Sequence, residues 1–300
     1  MRFGLFGINI GVCANGQSAA QVAQAAEAVG FESVWTGEHV VLPDPQAPPS
    51  PLPPEAPILD PAVALAVIAS HTRRLRLGTG IIILPQRNPL VLAKELASVD
   101  VVSGGRLIFG LGIGYLKAEF DALGVSFDDK GARTLEYLEA MLAIWTAEKP
   151  AYQGRFVSFA GVQSMPRPVQ MPHPPIVIGG RTAPAYRRAV THANGWFGFA
   201  LDAADTAACL AGLRTALAKH PRPSGLGTLE ISVTPRGPLD LETVKRFADL
   251  GVHRLIPYWP LTSEEALRTR IARFGDEVIA KLSSARVFAQ EVWTHQTPSP

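Results

Sequence analysis

Glu32-Ser33-Val34-Trp35-Thr36-Gly37-Glu38-His39 is the stretch on which the reading of the fold turns. Glu32 to Thr36 has the β-branched and aromatic character of a strand, and it ends on a glycine followed by two titratable side chains. In barrel enzymes the carboxyl tips of the strands carry the chemistry. Upstream lie a strand, Arg2 to Ile8, and an alanine-rich helix, Ser18 to Val29, with Ser18 as the expected N-cap and Gly30 as its stop.

The same alternation continues downstream. Leu42 to Pro57 holds eight prolines and is neither helix nor central strand. Asp60-Pro61 opens a helix to Thr72, followed by a strand Leu75 to Leu84, a helix Leu90 to Val102 and a strand Arg106 to Leu111. A long helix, Lys130 to Thr146, leads into an insertion, about 152–174, in which Gly154 to Phe159 reads as part of a small hairpin. Strands Pro175 to Ile178, Gly195 to Phe199, Glu230 to Thr234 and Arg254 to Tyr258 then alternate with helices Ala183 to His192, Ala203 to Lys219, Leu241 to Leu250 and Ser263 to Leu282. Eight strand and helix pairs predict a (β/α)8 TIM barrel over residues 1–282, with insertions at its C-terminal face and a tail, 283–300. The rival is a doubly wound open sheet, disfavoured because no strand-to-helix turn carries GxGxxG with a downstream acidic residue.

Composition narrows the function. With 28 basic and 26 acidic residues spread along 300 positions, the chain lacks the basic runs expected of a nucleic-acid partner. No apolar run reaches membrane-span length, and two cysteines, Cys13 and Cys209, indicate neither a disulfide framework nor a thiolate metal site. A cytoplasmic protein with a small-molecule substrate, no membrane and no metal is expected.

Three strand tips are rich in glycine: Gly78-Thr79-Gly80-Ile81, Gly110-Leu111-Gly112-Ile113-Gly114-Tyr115 and Gly179-Gly180-Arg181-Thr182. Glycine after a strand serves turn geometry alone in many proteins, but three clusters in register suit close approach to an anionic ligand. Arg181 adds a permanent cation; a solvated surface arginine is the plain alternative.

These clusters, with Trp35-Thr36-Gly37-Glu38-His39, Gly104-Gly105-Arg106-Leu107, Pro166-Arg167-Pro168-Val169-Gln170 and Ala193-Asn194-Gly195-Trp196, resemble the luciferase-like monooxygenase superfamily over about residues 1–282. The closer likeness is to the branch that uses coenzyme F-420, an 8-hydroxy-5-deazaflavin. The resemblance implies a flavin or deazaflavin across the barrel mouth, with Thr79, Gly80 and Ile81, Gly112, Ile113 and Gly114, and Gly179, Gly180 and Arg181 as cofactor-binding residues. It also implies a bulge at Gly80-Ile81 with a non-prolyl cis peptide, and a homodimer as a common assembly. Tyr115 stands where deazaflavin-dependent sugar-phosphate dehydrogenases of the superfamily place an acidic glutamate; Glu119 lies one helical turn on. Asn194 replaces a usual acidic residue, and Lys130 a frequent arginine.

The implied reaction is hydride transfer between coenzyme F-420 and a small organic substrate. His39 is the lead catalytic residue and Glu38 the second, an imidazole being suited to proton transfer near neutral pH. Phe6, Trp35, Tyr115, Phe199 and Tyr258 are expected to wall the substrate pocket, unless they simply cap the core, and the proline-rich loop and the insertion to rim it. The alternatives are a monooxygenase using reduced FMN and oxygen, and a non-catalytic flavin-binding barrel.

Overall fold

The computed structural model describes residues 1–260 and 262–284. Its strands are β1 (Arg2–Phe6), β2 (Ser33–Thr36), β3 (Arg76–Thr79), β4 (Ile82–Ile83), β5 (Leu107–Gly112), β6 (Tyr152–Gln153), β7 (Ser158–Phe159), β8 (Ile176–Gly179), β9 (Gly195–Leu201), β10 (Glu230–Pro235) and β11 (Arg254–Leu255). Parallel pairing passes from β1 to β2, β3, β5, β8, β9, β10 and β11, and returns to β1 where Arg2 faces Arg254. With β4 continuing β3, the sheet closes on eight staves and leaves no edge, which excludes the open sheet. The helices are α1 (Gly16–Ala28), α2 (Pro61–His71), α3 (Pro89–Ser103), α4 (Lys117–Ala122), α5 (Lys130–Thr146), α6 (Ala183–His192), α7 (Ala203–Lys219), α8 (Leu241–Asp249), α9 (Glu264–Phe274) and α10 (Ala280–Ser284). None among the described residues is long and apolar enough to cross a membrane. The expected tail, 283–300, lies outside the described residues beyond Ser284.

Local chemistry sets most boundaries. Asp60 caps α2 through the Ala62 and Val63 amides with Pro61 in the first turn, as expected. The cap of α1 is Asn15 rather than Ser18: its side chain accepts from the Gln17 and Ser18 amides, so the helix starts at Gly16. The core has two layers. Leucine, valine and alanine from the helices pack on the outer faces of the strands, while Phe6, Trp35, Ile108, Val177, Phe197 and Ile256 fill the barrel interior.

The expected third strand, Leu75 to Leu84, is interrupted. The Gly80–Ile81 peptide is cis and separates β3 from β4, which pairs with β5 further along, Ile82 opposite Leu111. Across the break the Thr79 hydroxyl donates to Gly110 O at 2.6 Å and accepts from Gly110 N–H at 2.8 Å, restoring the polar pairing that the strand loses. A side chain on Gly110 would lie 1.8 Å from Thr79 O, so position 110 admits only glycine.

The two long connections lie differently from each other. The proline-rich loop leaves the tip of β2 and borders the mouth, as expected. The insertion instead follows the end of α5, so it enters and leaves at the opposite, N-terminal face. Its later part is fixed there, with the Val169 and Gln170 amides donating to Asp100 near the end of α3. The β6–β7 turn climbs back along α5, where Glu136 accepts from the amides of Arg155, Phe156 and Val157, and Met165 O accepts from Lys94 in the first half of α3.

Candidate active site

The strand tips gather their polar groups at one end of the barrel. His39 follows β2, and its ring lies between two partners. Nδ1 is 3.3 Å from Oε2 of Glu119, on α4, and Nε2 is 3.3 Å from the Tyr115 hydroxyl, on the turn between β5 and α4. The Glu119 side chain has no exposed surface, and its other oxygen accepts from the Val40 amide at 2.6 Å. One buried carboxylate thus holds both His39 and the start of the proline-rich loop. Tyr115 is 50% exposed at the mouth. Burial, and then the charge of Glu119, raise its phenol above the ordinary value.

Glu38 has a different task from its neighbour. Alternation along the strand sends its side chain away from His39, into a buried pair with Arg87, and Oε2 accepts from the Ile83 amide at 2.5 Å. Burial pushes the Glu38 carboxyl up while Arg87 and that amide pull it down. Arg87 also reaches Asp60 at 2.6 Å, tying the tip of β2 to α2 and α3. Glu38 supports the bulge below the site and makes no contact with His39's partners.

The bulge forms a shelf. Ile81 projects over glycines on the neighbouring staves: a side chain on Gly112 would come within 2.6 Å of Ile81 Cδ1, and one on Gly179 within 3.2 Å of its Cγ2. Gly80 sits above Phe6 and Trp35, and Gly80 N–H donates to Thr36 O at 2.8 Å. Thr79 is fully buried with its hydroxyl spent on Gly110, so it shapes the shelf and presents nothing to a ligand. Gly114, at φ 76°, packs against Ile83 and Phe120. Ile113 lies partly exposed between them.

Aromatic rings cover the barrel interior below the mouth. Phe6 meets Phe199 at 4.9 Å and Tyr258 at 5.3 Å between ring centres. Phe199 is exposed, turned outward beside Ala200, whose φ of 55° marks an irregularity in β9. Trp35, expected in the pocket wall, is 0% exposed: it stacks 5.8 Å from Phe197, donates Nε1–H to Ser33 Oγ at 2.9 Å, and lies inside the barrel beneath Gly80.

One buried cation was invisible in the sequence. Arg188 of α6 is 7% exposed, its Nε has no hydrogen-bond partner, and it joins no ion pair among the described residues. Burial, and then Arg187, lower its pKa. A side chain on Gly131 would lie 3.8 Å from Arg188 Nη1, so the guanidinium faces the first turn of α5. The side chain of Asp129, at that helix's N-cap, makes no capping bond and pairs with Arg155 at 3.4 Å. An unpartnered guanidinium against the positive end of a helix dipole is an arrangement that an anion would relieve. Arg181, by contrast, is exposed. Gly179 and Gly180, the latter at φ 122°, precede the uncapped N-terminus of α6. The shelf and this cationic gap fit a planar ring system with an attached phosphate. Among the described residues no group of three or more His, Cys, Asp or Glu side chains is placed to hold a metal.

The model of the luciferase-like monooxygenase family matches residues 6–239, and the chain belongs to that family. An uncharacterized protein of Mycobacterium tuberculosis is 32% identical over 200 residues, 64% of this chain and 71% of that protein. The oxygenase component of a flavin-dependent trigonelline monooxygenase of Acinetobacter baylyi is 31% identical over 172 residues, covering 57% of this chain and 44% of its own length. Among solved structures, an F-420-dependent secondary alcohol dehydrogenase superimposes with a TM-score of 0.74 at 14% identity, over 93% of this chain and 98% of its own. A coenzyme F-420-dependent tetrahydromethanopterin reductase of Methanopyrus kandleri gives 0.73 at 17% identity, over 93% and 99%. The proteins similar to this chain include both F-420-dependent enzymes and a flavin-dependent monooxygenase, and the shared fold does not choose between them.

Proposed function

We propose that this chain is a cytoplasmic oxidoreductase that transfers a hydride between deazaflavin coenzyme F-420 and a small organic substrate at the barrel mouth. The observation that carries this reading is the proton-handling pair, His39 and Tyr115, set at the same mouth as the Gly80–Ile81 shelf. Interconverting an alcohol and a carbonyl moves a hydride and a proton together, and the mouth offers a place for each.

When bound, the deazaflavin supplies the hydride acceptor or donor. Ile81, with Gly80 and Gly112, would support one face of its ring, and Gly179, Gly180 and Arg188 with the first turn of α5 would hold its phosphate. Phe6, Phe199 and Tyr258 supply an apolar wall that excludes water from the substrate, and His39 with Tyr115 takes or returns the substrate proton.

The likeness to the trigonelline monooxygenase supports a second reading, oxygenation with reduced FMN. Titrating the protein with coenzyme F-420 and with FMN, followed by fluorescence, separates the two. Binding of the deazaflavin with substrate-dependent change in its absorbance is expected; tight FMN binding without deazaflavin binding sinks the first reading.

A homodimer through α2 and α3 is part of the proposal. These adjacent helices expose Val63, Val91 and Val102, apolar surface that a second copy would cover. Sedimentation of wild type against Val63→Glu should show a dimer lost to monomer.

A further inference from the structure

The carboxylate of Glu119 can only accept, so the neutral imidazole of His39 carries its proton on Nδ1, 3.3 Å from Oε2. Nε2 is then an acceptor, and the group that donates to it is the Tyr115 hydroxyl, also at 3.3 Å. The arrangement has little freedom to reverse. Glu119 is buried and committed on its other oxygen to the Val40 amide, and the His39 side chain is only 10% exposed. The ring that reaches the open mouth is that of Tyr115.

The geometry points to Tyr115 as the catalytic residue that touches the substrate, with His39 as the base behind it and Glu119 as the positioning residue that sets the tautomer of His39. This rests on the hydride-transfer reading above and adds to it the side chain that exchanges the proton with the alcohol or carbonyl oxygen. In the oxidising direction the substrate C–H bond would break, a bound deazaflavin supplying the two-electron acceptor for its hydride. The alcohol O–H proton passes to the Tyr115 oxygen as the phenol proton passes to His39 Nε2, and the C=O double bond forms. Two electrons end on the cofactor and one proton on the imidazole, whose new charge faces Glu119. Carbonyl reduction is the same sequence reversed. Because its surroundings hold the phenol above its ordinary pKa, Tyr115 carries a proton through rather than losing one at rest.

The test has two arms on the full chain. NMR of labelled histidine nitrogens, without cofactor, should show His39 protonated at Nδ1 in wild type, an altered Nε2 resonance in Tyr115→Phe, and mixed tautomers in Glu119→Gln. A wild-type ring protonated at Nε2 overturns the inference. Turnover with alcohol substrates should fall ~100-fold or more in Tyr115→Phe with cofactor Kd unchanged, and Glu119→Asp should recover part of the rate that Glu119→Gln loses. A Tyr115→Phe enzyme within ~3-fold of wild type also overturns it. Failure of the deazaflavin reading appears separately, as absence of coenzyme F-420 binding by wild type, and leaves the NMR arm intact.

Discussion

At the floor of the barrel Arg254 is 2% exposed; its guanidinium donates to Glu32 at 2.9 and 3.0 Å, to Glu230, and to Ser232 Oγ at 3.1 Å. Arg106, at the entry to β5, donates to Ala69 O at 2.8 Å and Thr72 O at 3.2 Å at the end of α2, and to Leu75 O at 3.0 Å just before β3. Toward the mouth Arg188 is nearly as buried and joins no hydrogen bond or ion pair among the described residues, while His39 keeps one nitrogen on a tyrosine that is half open to solvent. Both ends bury charge; the floor pairs Arg254 with two carboxylates of the chain, and the mouth side does the same for Glu38 with Arg87 but leaves Arg188 without a carboxylate among the described residues. Fully paired charge stabilises the closed sheet, whereas unspent donors at the mouth await a partner from outside the chain.

The largest expected effect tests the floor. Arg254→Ala leaves Glu32 and Glu230 without their shared cation and should cost about 3–5 kcal/mol in urea unfolding. An equally large loss from His39→Ala would erase the distinction. That mouth substitution should instead lower kcat ~100- to 10,000-fold with a nearly unchanged urea midpoint, read by steady-state kinetics beside the same denaturation.

Arg188→Leu sharpens the contrast further. Removing an uncompensated buried charge should leave stability unchanged or higher, while cofactor Kd rises ~10- to 100-fold, measured by fluorescence titration. A stability loss matching that of Arg254→Ala would mean that Arg188 has an internal role.

The smallest effect is acid sensitivity at the floor. His253 Nδ1 accepts from the Ile231 amide at 3.0 Å, and burial lowers its pKa below the ordinary 6.5. The unfolded chain therefore binds the proton more readily than the folded one. The stabilisation is complete above pH 6.5 and is lost as pH falls from there through the lowered folded value, at up to about 1.4 kcal/mol per pH unit. His253→Asn, which keeps an acceptor without the titration, should flatten the dependence of the urea midpoint on acid pH.

The barrel was legible because its signals are local. Hydrophobic runs of strand length, Asp60-Pro61 at a helix start and glycines at strand tips each follow from a few neighbouring residues. The site was legible in part. His39 could be named from its place after β2, but its partners could not, because Glu119 is 80 positions away and reaches it only through the turn of α4. The sequence ranks Glu38 second to His39 and sets Trp35 in the pocket wall; in the folded chain Glu38 pairs with Arg87 and Trp35 is buried against Phe197. Arg188 carried no signal, since an arginine in an amphipathic helix reads as surface.

The sequence by itself thus determined the order of elements, the eight-fold closure and the glycine clusters, all properties of short-range periodicity and backbone freedom. Tertiary structure alone decided which charges would be neutralised and which left open. That depends on the distances between groups far apart in the chain, and pairing energy and burial are set only once the barrel has closed around them.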